Sequence, residues 1–163
     1  MSEPDVHLNK CTIAGALNPL QPSYTLLTDL IAQNGHSNRD DLILKMELKG
    51  AEYNVLHTVS SETLQQFAQI VIVFNGLLQP RLENLICFAL DKLNATHQLV
   101  HVHGDNSSAV SMKGGKVLPN VLECTYLRRD RGTFVRSKRF FPTPLDAPNN
   151  PTRADINLGY WGD

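Results

Sequence analysis

The sequence predicts an α/β fold of about five strands that closes on an antiparallel pair. Three observations lead there. Strand-type and helix-type segments alternate along the chain, the pattern that builds parallel strands joined by right-handed helical crossovers. Residues 69–74, Gln-Ile-Val-Ile-Val-Phe, are uncharged and β-branched or aromatic over 70–74, as in an interior strand covered on both faces. The last two strand-type segments are joined by a loop with no helical pattern, which suits an antiparallel connection.

Residues 7–14 read as the first strand, with Leu8, Cys11 and Ile13 as its apolar positions. Asn18-Pro19-Leu20-Gln21-Pro22 breaks the chain, because each proline lacks a donor and restricts the residue before it. Ser23 then stands where it can cap a helix over 24–33, whose Leu26, Leu27, Leu30 and Ile31 share one face, and Asn34-Gly35 closes it. Residues 42–48 are a short, nearly continuous apolar run, read as a strand. Residues 51–58 read as helix, and Ser60-Ser61-Glu62 starts another that runs to about 67, with an acid in its first turn. After the strand at 69–74, Leu82, Leu85, Ile86, Ala89, Leu90 and Leu93 mark the clearest helix, 81–94. Residues 98–103 read as a strand, 104–115 as a polar small-residue loop and 121–127 as the last strand. Beyond about 140, Pro142, Pro144, Pro148 and Pro151 punctuate a tail expected to be extended or disordered. The strand at 69–74 is expected to have neighbours on both sides, and 7–14 to pair directly with 42–48.

A chain of 163 residues fits one domain better than two. With 42% hydrophobic residues it can build a core, which excludes disorder throughout. There are 15 Lys and Arg against 16 Asp and Glu, so the balance argues against nucleic acid as a partner. Apolar stretches such as 70–74 are far too short to span a bilayer, and no membrane role is expected. Cys11, Cys87 and Cys124 are too few and too widely spaced for a disulfide framework or a zinc knuckle. The acidic start, Met1-Ser2-Glu3-Pro4-Asp5, is unlike a signal peptide, so a cytoplasmic setting is expected.

Residues 41–53, Asp-Leu-Ile-Leu-Lys-Met-Glu-Leu-Lys-Gly-Ala-Glu-Tyr, resemble the FkbM-type family of S-adenosylmethionine-dependent methyltransferases. In that family a strand runs into a pattern that Lys45, Met46, Gly50, Ala51, Glu52 and Tyr53 match here. The resemblance continues through 69–74, 96–103 and 118–123, and covers roughly residues 7–130. It implies a Rossmann-like, methyltransferase-type sheet over 1–140, followed by a Pro-rich tail at 141–163. It also implies transfer of a methyl group from S-adenosylmethionine to a small-molecule or sugar hydroxyl. Glu47 stands where the family has Asp, Lys49 where it has Glu, and Val73 and Asn75 where it commonly has an acid and a His. No glycine-rich turn of the kind that cradles a nucleotide cofactor occurs near the start, so the chain resembles the C-terminal half of such an enzyme. Tight binding of S-adenosylmethionine by this chain is therefore not expected. The alternative is a non-catalytic methyltransferase-like interaction domain that binds a partner protein or nothing at all.

Glu47, Glu52 and His103 are the candidate catalytic residues. Glu47 and Glu52 flank the C-terminal end of a strand, where open α/β sheets bind ligands; alternatively Glu52 caps the next helix and Glu47 is solvated. His101 and His103, two apart on a strand, point the same way, and with Glu47 or Asp105 could bind a divalent metal or serve proton transfer; as a bare polar face they would do nothing. No metal ligand set and no cofactor-binding residues are fixed by spacing. Arg128, Arg129, Arg131, Arg136, Lys138 and Arg139 form a basic cluster, read mainly as a solvated hairpin edge. Cys87 and Cys124 read as packing residues.

Overall fold

The computed structural model describes residues 9, 11–16 and 24–161. Strand β1 (Thr12–Ile13) pairs in parallel with β2 (Tyr24–Thr25), and helix α1 (Leu27–Gln33) follows. Strand β3 (Leu42–Glu47) leads through α2 (Glu52–Thr58) and α3 (Ser61–Leu64) into β4 (Phe67–Asn75). A 3-10 turn at Pro80–Leu82 opens α4 (Glu83–Thr96), which runs straight into β5 (His97–Gly104). The hairpin β6 (Val110–Lys113) and β7 (Lys116–Pro119) precedes β8 (Val121–Arg128). In the tail, β9 (Phe140–Phe141) pairs antiparallel with β10 (Gly159–Tyr160).

The largest sheet has the order β3-β4-β8-β5. Strands β3 and β4 are parallel, and β8 is antiparallel to both β4 and β5. Side chains alternate between faces along each strand. One register row reads Met46, Ile72, Cys124, Val102, and none of the four is more than 4% exposed. Leu56 of α2, Leu64 of α3, and Ala89 and Leu93 of α4 join that row in one apolar core. The neighbouring row reads Glu47, Val73, Glu123, His103 and faces the other way. On that second face Ile43 is 70% exposed, and Lys45 forms an ion pair with Glu123.

The tail covers the β5 side of this second face. His101 Nε2 meets Asp146 Oδ1 at 2.8 Å, and His103 Nε2 meets Asp155 Oδ2 at 2.9 Å. The Phe141 ring stands edge-on to the His101 ring with centroids 5.2 Å apart, and Phe141 and Leu158 are buried. The buried Asn106 amide donates to the carbonyls of Asn150, Arg153 and Ala154, and its oxygen accepts the Asn150 N–H at 2.8 Å.

Several expectations are corrected. A Rossmann-like sheet of about five strands does not form: the strands among the described residues divide into small sheets of two to four, and the largest holds an antiparallel strand inside it. Among the described residues the content is about 26% helix and 32% strand. The described part of 7–14 pairs with Tyr24–Thr25 instead of 42–48, which leaves β3 bonded only to β4 among the described residues. Leu8, Ser23 and the break at 18–22 lie outside the described residues. The first helix starts at Leu27 because Tyr24 and Thr25 are taken up in β2; at its other end the Asn34 amide donates to the Leu30 carbonyl at 2.7 Å. The segment 104–115 is not simply a loop. Gly114 and Gly115, with φ of 58° and 76°, supply the two left-handed positions of a tight hairpin turn. The tail is neither free nor without structure, since the polar ties above pin it to β5 and the loop after it.

Candidate functional site

The Gly-Ala-Glu-Tyr segment sits at the C-terminal ends of β3 and β4, where its role is legible atom by atom. Chain direction changes at Lys49 and Gly50, whose φ values are 51° and 107°. Glu52, fully buried in the first turn of α2, turns back on that loop. Its Oε2 accepts the Gly50 N–H at 2.7 Å, and its Oε1 accepts the Asn75 N–H at 2.7 Å. The Tyr53 hydroxyl donates to the Asn75 carbonyl at 2.8 Å, while its ring stacks on Phe74 at 5.7 Å. Burial, reinforced by the Glu52 charge, holds the Tyr53 phenol well above its ordinary value, so it stays a neutral donor. Adjacent residues thus grip the backbone N–H and carbonyl of one residue, Asn75, at the end of β4.

The three candidate catalytic side chains are not brought together. Glu52 is spent on backbone amides. Glu47 is exposed at the end of β3. His103 shares its register row but lies three strand spacings away, about 14 Å at the usual spacing. The His103 ring is already paired with Asp155. Asp105 accepts the Ser107 N–H at 2.8 Å in a local turn. Among the described residues, no three of His, Cys, Asp or Glu converge as a metal-binding group. The Gly50 N–H that a cofactor turn would offer to a ligand is donated to Glu52 Oε2, and Glu52 Oε1 is turned onto the Asn75 N–H.

A mostly apolar cleft lies elsewhere among the described residues. It has a volume of about 590 Å³ and opens between α4, the helix-bearing face of the sheet and the β6–β7 hairpin. Phe74, Leu122 and Tyr126 form its floor, Ile86 and Leu90 of α4 form one wall, and Met112 of the hairpin forms the other. Glu83 and Lys113 meet at 2.9 Å and tie the start of α4 to the hairpin. Asn120 anchors the hairpin base: its carbonyl accepts the Gly76 and Leu77 N–H groups, and its side chain accepts that of Leu78.

No family model, curated protein or solved structure matches this chain. The site is therefore read from its own geometry. Among the described residues no helix is long and apolar enough to cross a membrane.

The basic cluster divides. Arg128, almost buried, donates to Asp130, to the Asp40 carbonyl at 2.8 Å and to the Gln65 carbonyl. Arg129 donates to the Asn94 carbonyl at 3.0 Å, and Arg131 to Asp40. Arg128 and Arg131 tie the end of β8 to the loops before β3 and β4, and Arg129 ties it to the last turn of α4. Cys124 is a packing residue whose thiol burial pushes far up; Cys87 instead is exposed and borders the cleft. Sequence reasoning missed the cleft because its α4 wall reads as ordinary core. The available signal was Gly114-Gly115 between Val110 and Met112 on one side and Val117 and Leu118 on the other, a hairpin pattern that places a flap over α4.

Proposed function

We infer that this chain is a non-catalytic interaction domain and does not transfer methyl groups. The observation that carries this reading is Glu52. A carboxylate that meets a substrate or cofactor faces the space it occupies, whereas Glu52 is fully buried with one oxygen turned onto the Gly50 amide and the other onto the Asn75 amide. The distance along the register row between Glu47 and His103 supports the same reading, because proton transfer needs hydrogen-bond reach. The motif that resembles a methyltransferase is thus accounted for by structural work at the strand ends.

Calorimetric titration of the chain with S-adenosylmethionine tests this. The expected result is no saturable heat. A dissociation constant below about 10 µM, roughly 7 kcal/mol of affinity, overturns it. So does methyl transfer to a hydroxyl acceptor that disappears in Glu47→Gln or His103→Gln.

A further inference from the structure

We propose that the cleft beneath the β6–β7 hairpin is a binding site for a small, uncharged, largely apolar molecule that carries one hydrogen-bonding group. The proposal rests on the interaction-domain reading and names its ligand class. At about 590 Å³ the cleft has the size of a small-molecule site. Its floor and the Ile86 and Leu90 part of its helical wall are apolar, with Gln79, Asn94 and Ser111 adding polar groups to the lining, and the apolar surface gains from an occupant that water does not replace.

Two features define the chemistry of that occupant. The charged groups at the rim, Glu83 and Lys113, are spent on each other. A charge placed deeper would be desolvated with no partner, which excludes ionic ligands. The second feature is Tyr126. This floor residue is only 1% exposed, yet no described group bonds its hydroxyl, and that oxygen is not sealed from solvent. The phenol O–H therefore remains available at the cleft floor for one polar atom of a ligand. Burial raises its pKa well above the ordinary value, so it meets the ligand as a neutral group.

The architecture also provides a way in. All four residues of β6 are exposed, with Met112 at 64%, and the clasp between Glu83 and Lys113 is solvent-exposed on both sides. A screened surface pair of that kind opens readily. Opening the flap also releases the Lys116 ammonium from the Tyr160 carbonyl at 3.2 Å, while the hairpin base stays fixed by Asn120.

The chain holds a single tryptophan, Trp161, and it lines the cleft. Cys87 also borders the cleft and is the exposed thiol among the described residues, Cys124 being buried and Cys11 intermediate. Both report occupancy. The test titrates the full chain with 1-naphthol and, in parallel, with naphthalene. The expected result is saturable quenching of Trp161 with one equivalent of 1-naphthol, and at least fivefold slower alkylation of Cys87 at saturation. Tyr126→Phe should weaken 1-naphthol about tenfold and leave naphthalene unchanged. Ile86→Trp, which fills the cleft from its half-exposed wall, should abolish binding of both probes. The protection of Cys87 is measured on the unaltered chain, so it decides the matter even if a variant fails to fold. Non-saturable quenching, unprotected Cys87 at probe saturation, or equal binding of 1-naphthol to the Tyr126→Phe chain overturns the proposal. Displacement of 1-naphthol by S-adenosylmethionine would overturn the interaction-domain reading and the uncharged-ligand claim, while leaving the cleft as a site.

Discussion

Glu52 Oε1 accepts the Asn75 backbone N–H at 2.7 Å, and this contact joins the loop after β3 to the end of β4. It makes a buried charge structural. Glu52→Ala leaves the Gly50 and Asn75 amides without their acceptor, and each buried orphan costs about 1–3 kcal/mol. The expected loss is about 3 kcal/mol, or some 6–12 °C in Tm for a domain of this size. Glu52→Gln keeps one acceptor and should lose less than half as much. Thermal and urea unfolding of the two variants measure the difference. Equal stability of Glu52→Ala and the parent chain would show that the clamp is dispensable.

His97 makes stability depend on pH. It is fully buried where α4 meets β5; its Nε2 faces the Phe67 carbonyl at 2.9 Å and its Nδ1 faces the Thr96 hydroxyl at 2.8 Å. These partners suit the neutral ring with Nε2–H donating to the carbonyl. Burial lowers its pKa from the ordinary 6.5; the Phe67 carbonyl opposes this, and the Arg128 charge adds to it. The unfolded chain therefore binds a proton before the folded one does. The stabilising contribution is complete above pH 6.5 and declines as pH falls through the folded value. Urea midpoints at pH 7.5, 6.5 and 5.5 should drop for the parent chain and drop less for His97→Gln.

Asp146 carries the same sign in a lower window. Burial pulls its pKa up, but the Thr143 N–H and hydroxyl and the His101 ring outweigh burial and hold it below its ordinary 3.8. Its contribution is present above pH 3.8 and is lost as pH falls further. Removing it with Asp146→Ala should loosen the tail locally. Trypsin cleavage after the exposed Arg153 should then accelerate several-fold at pH 8, with far-UV circular dichroism unchanged. An unchanged cleavage rate would mean that the Asp155 and Asn106 ties suffice.

The two faces of the sheet should respond very differently to charge. Ile72, 0% exposed in the core row, becomes a buried unpaired carboxylate in Ile72→Asp, and the domain should unfold. Ile43, 70% exposed on the opposite face of β3, should tolerate Asp within about 0.5 kcal/mol. Paired urea titrations measure both, and a loss of several kcal/mol at Ile43 would show that something covers that face.

What could be read from the sequence follows a physical division. Strand β4 was legible because it is apolar on both parities, and α4 because its apolar residues repeat at helical spacing. The hairpin was overlooked because Val110-Ser111-Met112-Lys113 alternates over only two apolar positions, too short a run to stand out as a strand, although Gly114-Gly115 carries the turn signal. The tail was misread because what holds it is a handful of polar pairs, His101 with Asp146 and His103 with Asp155, which composition cannot register. The position of β8 has no local signature at all, since strand order is set by long-range pairing. Glu52 was legible as important but not as a clamp, because its partner Asn75 lies on another strand. His103 and Glu47 share a face, as alternation requires, but only the register reveals the strands between them.

The placement of β8 between β4 and β5 sets an order of events during folding. Gln69 faces Leu127 and Asn75 faces Val121, so the inner edge of β4 has no partner until residues 121–128 arrive. Strand β5 is in the same position, since β8 is what joins it to the sheet. On the ribosome, β3, β4 and α4 are made first, and they wait with β4 exposing unpaired backbone groups along its most apolar stretch. Closing the sheet then requires long loop closures, which places this domain among slow folders relative to helical proteins of its size. A chain cut short before residue 121 would keep that edge open and would recruit other chains to it.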